Sequence, residues 1–193
     1  MSRWRIALAS LAVVGAAVLA TPAAATTLIR MGVGELVGRN ESAVLGRVVE
    51  IASRWNDTQD FILSDVRVAV EESVLGTGTP DEMTFTVMGG TVGDRSVVIV
   101  AGPELEVGGR YLLFLGREDL PGSTRTMTVR DLSQGIFDVT GTGAAARVVS
   151  QAVHHPLLPD CAGAVEPPGG AMGLPLSQFA AEIRNAARAA GKR

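Results

Sequence analysis

Apolar and polar residues alternate with a period of two through most of the chain between residues 42 and 150. In the segment 61–70, Val66 and Val68 fall on one side of an extended chain and Asp65 and Arg67 on the other. This alternation is typical of β-strands with one buried and one solvated face. Two shorter segments repeat it, 83–87 and 126–130.

Two segments break the alternation because they are apolar at every position. They are residues 97–100, Val-Val-Ile-Val, and residues 111–115, Tyr-Leu-Leu-Phe-Leu. An all-apolar strand is expected where both faces of a sheet are covered. In a small barrel, one face lines the interior and the other lies under a helix, a loop or a terminal segment. We therefore predict that both segments are buried on both faces.

Turn-forming residues separate these segments. They include Asn56-Asp57, Gly89-Gly90, Gly108-Gly109 and Pro121-Gly122. Short strands at this spacing, with no helical patterns between them, favour an antiparallel sandwich or barrel.

Helical patterns occur only at the two ends of this region. Residues 35–40 predict a short helix before the first strand. Residues 176–190 predict an amphipathic helix, with Phe179 and Ile183 on its apolar face and Ser177 as a candidate N-cap. The predicted fold is thus mainly β, a small antiparallel barrel with a short N-terminal helix and a C-terminal amphipathic helix.

The first 25 residues have the organisation of a secretory signal peptide. Arg3 and Arg5 precede an apolar run at residues 6–19, and an Ala-x-Ala site ends at Ala25. We expect cleavage after Ala25, export by the general secretory route, and a protein that is periplasmic or secreted. The later sequence contains no apolar stretch long enough to span a bilayer. We expect a domain at 26–150 and a Pro/Gly-rich linker at 151–175, before the helix at 176–190.

Charge and cysteine content exclude several classes of function. Cleavage would change the net charge from -3 to -5, because the leader holds two arginines and no acidic residue. A mildly acidic protein with scattered basic residues lacks the positive patch of a nucleic-acid or anionic-membrane binder. Cys161 is the only cysteine, so the chain forms no internal disulfide.

Three segments carry a resemblance to known families. They are Gly46-Arg-Val48, Val70-Glu-Glu-Ser-Val-Leu-Gly76 and the strand ending in Tyr111-Leu-Leu-Phe-Leu115. In their order and spacing, the chain resembles a family of secreted bacterial proteins and, more distantly, the netrin-like modules and tissue inhibitors of metalloproteinases. The resemblance implies an OB-like barrel that acts on other proteins. Those metalloproteinase inhibitors begin with a disulfide-bonded cysteine, whereas the mature chain predicted here begins Thr26-Thr27.

Residues 154–161 contain the only cluster of candidate metal ligands or nucleophiles. His154 and His155 are adjacent, so on an extended chain they point to opposite sides and do not share an ion easily. We predict no metal site and no cofactor. A small hydrolase that uses Cys161 or Ser133 with one of the two histidines is the third of three hypotheses for the function.

The leading hypothesis is a secreted, non-enzymatic module that binds a protein partner. Trp55, Asn56 and Asp57 are the candidate surface contacts, since an aromatic residue beside a turn often anchors an interface. Trp55 as a plug at the end of the barrel is an equal alternative. The second hypothesis is a protease inhibitor of the netrin-like type, with an exported protease as the partner.

Overall fold

The computed structural model describes residues 30–76, 80–154 and 173–192. The predicted leader, His155, Cys161 and most of the predicted linker lie outside the described residues. Two helices are described, α1 (Val33–Arg39) and α2 (Leu176–Ala189). The strands are β1 (Ser42–Trp55), β2 (Ile62–Leu75), β3 (Glu82–Met88), β4 (Gly90–Val92), β5 (Arg95–Val97), β6 (Arg110–Leu120), β7 (Ser123–Val129), β8 (Ile136–Thr140), β9 (Arg147–Ser150) and β10 (Leu174–Pro175).

Eight of these strands form one antiparallel sheet. Its order is β10-β9-β8-β6-β1-β2-β3, and β7 pairs with the second half of β6. The remaining two strands, β4 and β5, form a separate hairpin. The predicted mainly β, antiparallel character is therefore confirmed. Among the described residues no strand pairing joins β10 to β3, so the closed OB-like barrel stays a prediction.

Residues 111–115 of β6 lie at the centre of the sheet and are buried on both faces, whereas residues 117–119 are exposed. Leu112 and Phe114 belong to the cluster that packs under the helices. Tyr111, Leu113 and Leu115 point to the opposite face and pack with side chains of β2, β3, β7 and β8. The prediction from the all-apolar pattern at 111–115 is confirmed.

Helix α2 covers the first of these two faces. Phe179 is fully buried, and its ring centroid lies 4.6 Å from that of Phe137, which in turn lies 5.9 Å from that of Phe114. The predicted C-terminal helix is thus present, although the predicted cap is wrong. The helix begins at Leu176, the first residue of the predicted range, and its N-cap position is Pro175, so Ser177 already lies inside the first turn. None of the described helices is long and apolar enough to cross a membrane.

The second all-apolar segment does not behave like β6. Only Val97 belongs to a strand, and the side chains of Val98 and Val100 are 85% and 68% exposed. The chain turns at this point, because the Gly102 N–H donates to the Ile99 carbonyl at 3.0 Å. The prediction that residues 97–100 are covered on both faces is wrong.

Candidate interaction surface

The connection between β5 and β6 gathers the exposed apolar side chains of the structure. We call residues 98–107 the valine loop. It contains Val98, Val100 and Val107, which are 85%, 68% and 63% exposed. These three are all of the large hydrophobic side chains that are exposed in the described part of the chain. Single exposed apolar residues are ordinary on protein surfaces, whereas contiguous exposed apolar patches are candidates for interaction.

The backbone of the valine loop is fixed to the body of the protein at several points. The Ala101 carbonyl accepts a hydrogen bond from the Ser133 N–H at 3.0 Å. At the far end, the Gly108 N–H donates to the Val48 carbonyl of β1 at 2.8 Å. These bonds tie the loop to elements on both of its sides.

Two side chains complete this attachment. Gln151 accepts from the Glu104 N–H at 3.1 Å and donates to the Glu104 carbonyl at 2.7 Å, as a neighbouring strand would. The Glu106 N–H donates to the Tyr111 hydroxyl at 3.0 Å. A loop held in this way loses little further conformational entropy when a partner binds, which favours affinity.

The β4–β5 hairpin, which leads into the loop, is anchored by two serines of the sheet. The Ser53 and Ser64 hydroxyls lie 2.9 Å apart, and the Ser64 hydroxyl donates to the Gly89 carbonyl at 2.7 Å. The Thr91 N–H donates to the Ser53 hydroxyl. Gly90 sits directly on this pair with φ 129°, where a side chain would clash with both hydroxyls. Residue 90 therefore has to be glycine for the hairpin to reach the sheet.

Three residues around the loop adopt left-handed backbone conformations although they are not glycine. They are Ala101, Asp131 and Leu132, with φ of 67°, 62° and 62°. Such conformations cost free energy, especially for a bulky residue such as leucine, and they concentrate at functional sites. In the described part of the chain, three of the five non-glycine residues with positive φ thus lie beside the valine loop, and the other two are Gln59 and Arg125.

Two grooves flank the valine loop, and both are lined by Met88, Ile99 and Pro103. The first, of about 280 Å³, also contains Val98 and Gln151. The second, of about 220 Å³, extends over β3 and β7 to other side chains, among them Leu120 and Leu132. The loop thus forms a ridge between two depressions, of which the first has about as much polar as apolar lining and the second is more apolar.

The charged groups that line the grooves are all acidic. Glu104 lines the first groove, and Glu118, Asp119 and Asp131 line the second, whereas neither contains a lysine or arginine. Asp131 makes an ion pair with Arg39 at 2.8 Å. Burial raises the pKa of the Asp131 carboxyl, since it removes the charged form from water. The Oδ2 atom of Asp131 has no hydrogen-bond partner among the described residues.

The candidate contacts from the sequence lie at the C-terminal end of β1 and in the β1–β2 turn. Asn56 is only 3% exposed, and its side-chain carbonyl accepts from the N–H groups of Asp60 and Phe61 at 3.0 and 3.1 Å. Its amide also donates to the Pro121 carbonyl at 3.2 Å. Asn56 therefore organises the turn itself, which leaves Trp55, half-buried, and Asp57, exposed, as the accessible candidates.

The residues of the hydrolase hypothesis are only partly placed. Ser133 is buried and lines the first groove, on a 3-10 helix that spans Leu132–Gly135. His154 ends another 3-10 helix, while His155 and Cys161 lie outside the described residues, so this hypothesis stays a prediction. Within the described ranges, no three His, Cys, Asp or Glu side chains form a set that could hold a metal ion.

The sequence reasoning missed the valine loop because an all-apolar run normally signals burial. The one available sign was its neighbourhood, in which Ala101, Gly102 and Pro103 end the run with turn-forming residues. Comparison of the chain with protein-family models, with curated proteins and with solved structures gives no match.

Proposed function

We propose that this protein is an exported, non-enzymatic module that binds another protein through the valine loop. One observation carries the proposal: the exposed large hydrophobic side chains of the described chain all lie in this loop, on a backbone that is held in place. The sequence of the first 25 residues supports the exported location.

The energetics of this surface suit a specific contact. Complete burial of an exposed valine contributes about 1.5 kcal/mol, so Val98 and Val100 together contribute about 2–3 kcal/mol. Because the loop is already ordered, little of this is lost to fixing its conformation. Val107, near the other end of the loop, is also exposed.

Site-directed photo-crosslinking tests this proposal. A photoreactive residue replaces Val98 in one variant and the exposed Arg188 of α2 in a control variant. After export in the source organism, we expect a discrete crosslinked species at residue 98 that is absent at residue 188. Addition of Val100→Ser should weaken that species. Equal crosslinking at both positions, or none at residue 98, would refute the proposal.

A protease inhibitor is the second candidate, favoured by the same restrained loop. An exposed loop whose ends are hydrogen-bonded can occupy the cleft of a protease without becoming disordered. The test is inhibition of a panel of secreted metalloproteases and serine proteases by the wild type and by Val98→Ser/Val100→Ser. Inhibition by the wild type alone would support this candidate, and unchanged rates at micromolar protein would remove it for that panel.

A further inference from the structure

We propose that the two grooves beside the valine loop select protein segments in which aliphatic side chains alternate with lysine or arginine. This inference rests on the proposed function and adds the chemistry of the partner. Its evidence is the lining of the grooves, which combines aliphatic side chains with carboxylates and contains no lysine or arginine.

The aliphatic side chains that line the grooves explain why the ligand should carry aliphatic side chains. Val87, Leu120 and Leu132 line the second groove together with Met88 and Ile99, which are shared with the first. Burial of a ligand's aliphatic side chains against these residues is favourable and requires no particular hydrogen bonds. A segment that crosses the shared ridge places side chains in both depressions.

The carboxylates account for the basic part. Glu104 and Glu118 are exposed, and among the described residues neither makes an ion pair. Asp119 also lines the second groove, and its Oδ1 accepts the Arg125 N–H at 2.8 Å. Complementary charge across an interface raises the association rate and rejects partners of the wrong sign.

The same charge pattern argues against other ligands. Acidic segments would place like charges together at both grooves. Nucleic acid would meet carboxylates where phosphate binding needs lysine or arginine. A second copy of the chain, seated valine loop on valine loop, would bring the acidic margins together and is disfavoured for the same reason.

Fluorescence anisotropy with three labelled peptides tests the inference. Each is an acetylated and amidated hexapeptide: alternating valine and lysine, alternating valine and glutamate, and alternating serine and lysine. We expect the purified protein to bind the valine–lysine peptide at least about threefold more tightly than the valine–glutamate peptide, since two surface ion pairs are worth roughly threefold to thirtyfold in affinity. It should also bind the valine–lysine peptide more tightly than the serine–lysine peptide, which has no valine side chains to bury.

Matched variants locate the interaction. Glu104→Gln/Glu118→Gln removes one unpaired carboxylate from each groove, and Asp57→Asn/Asp81→Asn removes two exposed carboxylates that line neither. We expect the first variant to lose roughly threefold to thirtyfold in affinity for the valine–lysine peptide and the control to lose less than about threefold. The valine–lysine preference should weaken as salt is raised.

The outcomes separate this inference from the proposed function. Equal binding of the lysine and glutamate peptides, or no loss in Glu104→Gln/Glu118→Gln, would overturn the charge selection. If no peptide binds while residue 98 still crosslinks a partner, the inference is wrong and the proposed function stands. Self-association of the protein at micromolar concentration that Val98→Ser abolishes would also overturn the inference, because the occupant would then be a second copy.

Discussion

Two glycines of the β4–β5 hairpin offer a matched test of how the valine loop is held. Gly90 and Gly93 both have positive φ, 129° and 60°, which is unfavourable for any other residue. They differ in their surroundings. A Cβ atom at residue 90 would meet the Ser53 Cβ at 3.0 Å and lie closer still to the Ser53 and Ser64 hydroxyls, whereas a Cβ at residue 93 has nothing within 4 Å.

The two alanine substitutions should therefore have different costs. Gly93→Ala introduces only the left-handed backbone, about 1 kcal/mol, part of which is offset by a less flexible unfolded chain. Gly90→Ala adds a steric clash to backbone strain of about 1–3 kcal/mol. Displacement of the two serines weakens two hydrogen bonds, each worth about 0.5–1.5 kcal/mol. We expect Gly90→Ala to lower the free energy of unfolding by about 2–5 kcal/mol.

Chemical denaturation measures this difference. Urea unfolding of the purified wild type, Gly90→Ala and Gly93→Ala should show transitions with equal slopes and different midpoints. In thermal unfolding each kcal/mol should lower the melting temperature by about 2–4 °C in a protein of this size. Equal losses for the two variants would refute the packing of Gly90 on the Ser53–Ser64 pair. The hairpin would then not be anchored as described.

Three further predictions concern the turn, a buried charge and the helix face. Asn56→Ala should lower the free energy of unfolding by about 2–4 kcal/mol, since it leaves buried polar groups of the turn without partners, while Thr58→Ala should cost less. Because burial raises the pKa of Asp131, the folded protein holds this proton more tightly than the unfolded one, and stability falls as the pH rises through the raised pKa. Asp131→Asn should therefore stabilise the protein at pH 7 in urea titrations, with a gain that shrinks in acid; a gain independent of pH would contradict this reasoning. Phe179→Ala should lower the free energy of unfolding by about 3–5 kcal/mol, and the exposed Gln178→Ala by less than about 0.5 kcal/mol. Similar losses for the two variants would mean that α2 does not cover the sheet.

The periodicity of the sequence predicted the strands well where neighbouring strands were available. The 111–115 segment is buried on both faces because helices cover one side and side chains of β2, β3, β7 and β8 cover the other. The 97–100 segment has the same apolar character but follows β5, a strand of three residues that pairs only with β4. A pattern of apolar residues predicts which side chains a segment can bury. It does not predict whether a neighbouring strand or helix is present to cover them.

The candidate site was harder to predict for related reasons. The left-handed conformations at Ala101 and Leu132 have no sequence sign, because neither residue type favours them. The two hydrogen bonds between the Gln151 side chain and the Glu104 backbone join residues that are far apart in the chain. Asn56 was singled out correctly as a turn residue, but its burial depends on the distant Pro121 carbonyl.

Amide hydrogen exchange in the free protein tests most directly whether the valine loop is ordered before any partner binds. The amides of Glu104, Glu106 and Gly108 donate to Gln151, Tyr111 and Val48 respectively. Two-dimensional NMR should show these three amides exchanging at least about a hundredfold more slowly than in an unstructured peptide. Exchange at the rate of an unstructured peptide would mean that the loop is disordered, and it would contradict the preorganised binding surface.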